Sequence, residues 1–307
     1  MSDRSEWSIT VPQKLTFDVP VSTLHVRVVG GTVNVVGTDG GPARLELSEL
    51  QGPPLTVTHK GGTLSVVYDD LPWKGLLRWL DRKGWNRRAH VTLAVPTGTR
   101  TSVGVVGASA VVSGLTGHTE VRGVSGDITL VGLTGAVRAD TVSGRVEAQA
   151  VAGDLRFNSV SGDLTVIEGA GSAVKADTVS GNMVLDLAAT SKGSDISLTT
   201  VSGEIAIRLP HPADAEVEAN TASGPVSNAF ADLRVTGQWG AKRVTGTLGA
   251  GSGRLRATTV SGAIALLRRP EPPDDDLPED DIPEGVPGTG PGGAPAAGRD
   301  DSHGKVL

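Results

Sequence analysis

Apolar and polar residues alternate along most of this chain, and the alternation itself recurs. Stacked on Gly126, Gly144, Gly162, Gly181, Gly203, Gly224 and Gly262, the stretch from Val103 to Leu267 resolves into columns. Seven positions before the glycine stand Thr119, Val137, Leu155, Val174, Ile196, Val217 and Leu255. Two before it stand Val124, Val142, Val160, Val179, Val201, Ala222 and Val260. Two after it come Ile128, Val146, Leu164, Met183, Ile205, Val226 and Ile264, and four after it Leu130, Ala148, Val166, Leu185, Ile207, Asn228 and Leu266. Apolar columns spaced by two are what strands with one face turned inward require, so all four predict core positions. Six before the glycine lie Glu120, Arg138, Arg156, Lys175, Ser197, Glu218 and Arg256, a solvated outer face.

Glycine recurs every nine residues from Gly117 to Gly171, and every second one closes a Val-Ser-Gly triplet. A period of two nine-residue halves is too short for a helical pair and suits one coil of a strand-turn-strand-turn solenoid. Equivalent residues of successive coils then sit about 4.8 Å apart, so like residues form ladders. Thr141, Ser159, Thr178, Thr200, Thr221 and Thr259, three before the glycine, predict a hydroxyl ladder leading into the turn. The glycine supplies a positive φ or a close backbone approach. Between Gly224 and Gly262 the interval doubles, which predicts one more coil around Val244-Thr-Gly246.

Residues 1 to 70 read as short alternating strands, Leu15–Val19, Leu24–Val29, Thr32–Val36, Arg44–Leu47, Leu55–Thr58 and Leu64–Val67, with Gly-Gly pairs between several of them. They predict the entry half of the same body, with less regular coils. The expected organisation is an N-terminal β region over 1–100, regular repeats over 101–268, and a tail over 269–307.

Composition agrees with a narrow aliphatic core: 42 glycines against 3% aromatic residues in 307. With no cysteine, disulfides and thiolate metal sites are excluded. The first seventeen residues lack an apolar run and no stretch approaches eighteen apolar residues, so the expected location is cytoplasmic, with peripheral attachment to a membrane as one form of it. A formal charge of −6 argues against nucleic acid as a partner.

The stretches Val124-Ser-Gly-Asp-Ile128, Thr141-Val-Ser-Gly144, Val160-Ser-Gly-Asp-Leu164, Thr178-Val-Ser-Gly181 and Thr200-Val-Ser-Gly-Glu-Ile205 carry a resemblance. Over roughly residues 10 to 267 the chain resembles the bacterial adhesin-type β-strand-repeat family, domain of unknown function 4097. The resemblance implies a single-stranded parallel β-helix and brings no catalytic residues with it. The usual crossover preference makes right-handed coiling the expectation.

Candidate chemistry is sparse. Asp127 and Asp163 stand two coils apart with Arg145 between them, a spacing that suits charge compensation in a turn rather than a carboxylate pair. Six histidines are scattered without ligand spacing, and the serines of the triplets repeat because the turn repeats. No catalytic residue, metal ligand or cofactor is expected.

One segment, Leu71 to Arg88, breaks the pattern. It holds three of the five tryptophans and six basic residues against one acid. Trp73, Leu76, Leu77 and Leu80 fall at helical spacing opposite Arg78 and Arg82, with Pro72 at the start and Gly84 at the end, predicting a short amphipathic helix. Two readings stay open: a cap on the open end of the solenoid, or a docking element for an anionic membrane surface or a protein partner. The docking reading uses Trp73, Lys74, Leu76, Leu77, Arg78, Trp79, Leu80, Arg82, Lys83, Trp85, Arg87 and Arg88. After Pro270 the chain is acidic, then rich in Gly, Pro and Ala, the composition of a disordered tail. The expected function is a non-enzymatic binding or scaffold protein. The alternatives are a self-assembling, homo-oligomeric β-helix and, last, a carbohydrate-active enzyme.

Overall fold

The computed structural model describes residues 4–68, 87–188 and 193–270, and the chain divides into two units, Met1–Pro270 and Glu271–Leu307. The whole of the expected helix, and the tail from residue 271 on, lie outside the described residues. Among those residues every regular element is a β-strand, and the strands form one sheet of 14 and one of 12.

Each regular coil contributes one strand to each sheet. β9 (Arg100–Val105) and β10 (Ser109–Ser113) make the first such coil. β11 (Thr119–Gly123) and β12 (Ile128–Val131), β13 (Val137–Thr141) and β14 (Val146–Gln149), and β15 (Leu155–Ser159) and β16 (Leu164–Gly169) follow in parallel. β17 (Ala173–Asp177) with β18 (Met183–Leu187) and β19 (Asp195–Thr200) with β20 (Ile205–Leu209) continue the stack. The register keeps like positions in line, with Val137 beside Leu155 and Val146 beside Leu164. Columns seven before, two after and four after the glycine line the space between the sheets, as the alternation predicts, and nearly all of their residues are buried. One further inward column went unread in the sequence: Val121, Ala139, Phe157, Ala176 and Leu198, which alternates large with small around the ring of Phe157.

The valine column of the triplets is a correction. Val160, Val179, Val201 and Val260 are 47–51% exposed and point outward at the turn. Five positions separate this column from the inward one at seven before the glycine, and on a pleated strand an odd separation places side chains on opposite faces. The threonines just before the valines do turn inward: Thr141, Thr178, Thr200, Thr221 and Thr259 are all buried.

At the N-terminal end β3 (Thr23–Val28) and β4 (Gly30–Thr38) form a coil that pairs in parallel with β9 and β10. On its other side lie β7 (Thr63–Val67) and β8 (Arg88–Pro96), also parallel. The remaining strands there are not coils, against expectation. β6 (Leu55–Lys60) and β5 (Ala43–Gln51) run antiparallel to β7 and β8, and β1 (Arg4–Ile9) and β2 (Gln13–Phe17) reverse again. The short Gly61-Gly62 turn lets β6 and β7 double back as antiparallel neighbours, whereas the turn at 39–42 carries the chain from β4 past β8 to β5, on the far side of β8. Phe17 covers the core edge here, with Trp7 at 5.5 Å and His59 at 5.9 Å between ring centroids.

The C-terminal end departs further. β21 (Ala215–Thr221) and β22 (Val226–Asn228) form a coil, but β23 (Arg234–Gln238) and β24 (Ala241–Leu248) are an antiparallel hairpin where an additional coil was expected. The last coil, β25 (Gly253–Thr259) with β26 (Ile264–Arg268), then returns to lie between the β19–β20 and β21–β22 coils. The loop between β22 and β23 closes this end. Phe230 and Leu233 are each 5% exposed, and the Asn228 amide donates to both of their carbonyl oxygens.

Candidate functional site

The edge where the chain passes from the first sheet to the second is built from the triplets. Ser143 N–H donates to Val124 O at 2.8 Å, Ser161 to Val142 at 2.8 Å and Ser180 to Val160 at 2.9 Å. The Ser143 and Ser180 hydroxyls donate to the same carbonyls at 3.1 and 3.4 Å. Ser143 and Ser180 therefore tie their turns to the previous coil by two bonds each, and Ser161 by its backbone bond. Beside the serines the valines form a half-exposed apolar ridge.

At this same edge the described chain ends after β7 at Tyr68 and resumes before β8 at Arg87. Tyr68 is fully buried, and the Arg87 guanidinium lies 5.4 Å from its ring centroid. Arg88, assigned by its sequence to the insertion, opens β8 opposite Gly30 and Gln51 and is exposed. Of the expected contact residues these two are placed, side by side at the root. Trp73, Lys74, Leu76, Leu77, Arg78, Trp79, Leu80, Arg82, Lys83 and Trp85 lie outside the described residues.

The acidic ladders have structural partners. Asp127 Oδ1 accepts Arg145 N–H at 3.0 Å and Asp163 Oδ1 accepts Asn182 N–H at 2.8 Å, so each carboxylate caps the next turn. Asp140 accepts from Arg138 at 2.7 Å and from Asn158 at 2.7 Å, and Arg122 binds Glu120 at 2.6 Å. The pairing of Asp186 was invisible in the sequence. Asp186, nearly buried, takes Arg208 Nε at 2.9 Å and Arg269 at 3.2 Å, tying the end of β26 to β18 and β20 across 83 residues of chain. Among the described residues no group of His, Cys, Asp or Glu could hold a metal, and no helix is long and apolar enough to cross a membrane.

Two carboxylates near the C-terminal end titrate low. Asp214 accepts the hydroxyl and the backbone N–H of Ser252, which hold its carboxyl below the ordinary range. Glu218 is lowered by Asn220 first and then by Arg256, with Arg243 adding its charge. A carboxylate whose folded pKa is depressed adds stability that is present above its unfolded value, roughly 4, and is lost as pH falls through the folded value. The melting temperature should hold steady between pH 7 and about 5 and drop below about 4, and Asp214→Asn should flatten part of that drop in a thermal melt series.

The hairpin also carries a feature that no sequence signal marked. Trp239 at its tip, with φ +55, is 101% exposed, and Val235 is 48% exposed.

The model of a family described as Toastrack DUF4097 matches residues 56–267, more than half of the chain. No curated protein matches. Among solved structures, a Clostridium sporogenes protein described as a candidate for cell adhesion is similar at 11% identity, covering 84% of this chain and 100% of its own, with a TM-score of 0.24.

Proposed function

The chain belongs to the Toastrack DUF4097 family, and on that footing we propose that it is a non-enzymatic binding or scaffold protein that docks through the segment between β7 and β8 onto an anionic membrane surface from the cytoplasmic side. The observation that carries this reading is the division of labour at the ends of the core. β1, β2 and Phe17 cover one end, and Phe230 and Leu233 cover the other. A cap is therefore supplied without the tryptophan segment, whose roots at Tyr68 and Arg87 lie on the turn edge of a coil instead. A stretch with Trp73, Leu76, Leu77, Trp79 and Leu80 beside Arg78, Arg82 and Lys83 has the composition of an interfacial amphipathic helix, and basic residues near an anionic surface contribute about 1 kcal/mol each. Right-handed coiling of the body belongs to the same proposal.

Sedimentation with vesicles tests it. The protein should pellet with vesicles containing anionic lipid at low salt, and should release as ionic strength rises. The triple variant Arg78→Ala, Trp79→Ala, Arg82→Ala should lose most of the pelleted fraction while keeping its far-ultraviolet spectrum and melting temperature. Equal pelleting of variant and wild type, or equal binding to neutral vesicles, would refute the membrane reading.

A further inference from the structure

The first sheet overhangs the second at the C-terminal end, and the overhang presents an open strand. β24 and β23 extend it by two strands past the level at which the second sheet ends in β22. Among the described residues β23 pairs with β24 on one side and with no strand on the other, and all five of its residues are exposed. An open edge of this kind is a template for another strand unless it is blunted by charge, proline, bulges or shortness. β22, the corresponding edge of the second sheet, is blunted: it is three residues long and follows Pro225. β23 has none of these devices within Val235-Thr-Gly-Gln238 and carries one charge, Arg234, at its start.

The sequence of the strand selects its occupant. We propose that β23 pairs antiparallel with β23 of a second copy about a two-fold axis at Thr236, so that the first sheet runs unbroken through both chains. In that register Val235 lies opposite Gly237 of the second copy, a branched side chain facing an empty position. Arg234 lies opposite Gln238, so that no two cations oppose each other and the guanidinium meets a neutral acceptor. Trp239, one residue further on at the hairpin tip and 101% exposed in the single chain, lies next to the seam that this pairing forms. Self-complementarity of one patch is what an isologous dimer requires. The overhang also supplies room, because five strand spacings, about 24 Å, separate the two β22 strands and keep the bodies apart.

This surface is remote in sequence from the proposed docking segment, and its test is independent of vesicle binding. Sedimentation velocity of the full chain across a wide concentration range should show the mass rising from that of one chain to that of two. Val235→Lys, which adds a charge at the open edge of a half-exposed position, should return the protein to a monomer with an unchanged melting profile. Trp239→Ala should weaken the dimer by roughly tenfold in dissociation constant. In the wild type the tryptophan emission should shift to the blue as dimer forms, and Trp239→Phe should abolish that shift. A wild type that stays monomeric at all concentrations, or a dimer of equal affinity in Val235→Lys, overturns the proposal.

Discussion

Replacing Gly203 with alanine is expected to destabilise the protein on the order of 4 kcal/mol, a large share of the 5–15 kcal/mol that holds a typical domain folded. The triplet glycines stack directly on one another, in the spatial order Gly162, Gly181, Gly203, Gly262, Gly224. A Cβ at position 203 would fall inside the carbonyl oxygen of Gly181 and 2.8 Å from Thr200 Oγ1. The obstruction is backbone, so no side chain can swing aside. Relief requires spreading two coils, which stretches Val201 N–H to Val179 O at 3.1 Å, Ser202 N–H to Val179 O at 3.0 Å and the Thr200 hydroxyl to Gly181 O at 3.4 Å. Each such bond is worth about 1 kcal/mol net, and the overpacking itself about 1–3. Gly98 provides the control, since nothing lies within 4 Å of a Cβ there and its φ is not positive. Gly98→Ala should change stability by no more than about 0.5 kcal/mol. Urea unfolding followed by circular dichroism compares the two, and similar midpoints would show that the coils do not stack through these glycines.

The same glycines explain how much of the fold could be read in advance. A parallel coil repeats its neighbours' contacts, so a residue needed once is needed every coil, and the need surfaces as a column. The triplets, the buried threonines and three of the four apolar columns were legible for that reason. Where the repeat ended, legibility ended. Arg234 to Leu248 alternates as any strand does, and nothing in Val244-Thr-Gly246 separates a hairpin from a coil. The placement of β25 between β19 and β21 was hidden because each coil offers the same edge to any other coil. At the surface, the tryptophan segment stood out by violating its surroundings. The Asp186–Arg208–Arg269 cluster did not, because its members meet only after the coils have stacked. Trp239 sits between Gln238 and Gly240, where a turn is expected and a tryptophan's exposure is not.

Phe157→Ala should cost about 3–5 kcal/mol, the second of the two large effects. Phe157 is fully buried, and the parallel register places Ala139 beside it on one side and Ala176 on the other. The ring fits because both neighbours in its column are small, so the three positions share one volume. Ala176→Leu in the wild type should therefore be overpacked and cost about 1–3 kcal/mol. Combined with Phe157→Ala, the same leucine should fill vacated space, making the double variant more stable than Phe157→Ala alone. The coupling between the two changes should exceed about 1 kcal/mol with the sign of compensation. Since a solenoid's stability is close to a sum of coil and neighbour terms, the loss in Phe157→Ala should concentrate in the coils from β13 to β18. Hydrogen exchange would show it as faster exchange in those strands and little change in β3 and β4. A leucine at 176 that costs as much beside alanine as beside phenylalanine would mean the two side chains do not share that volume.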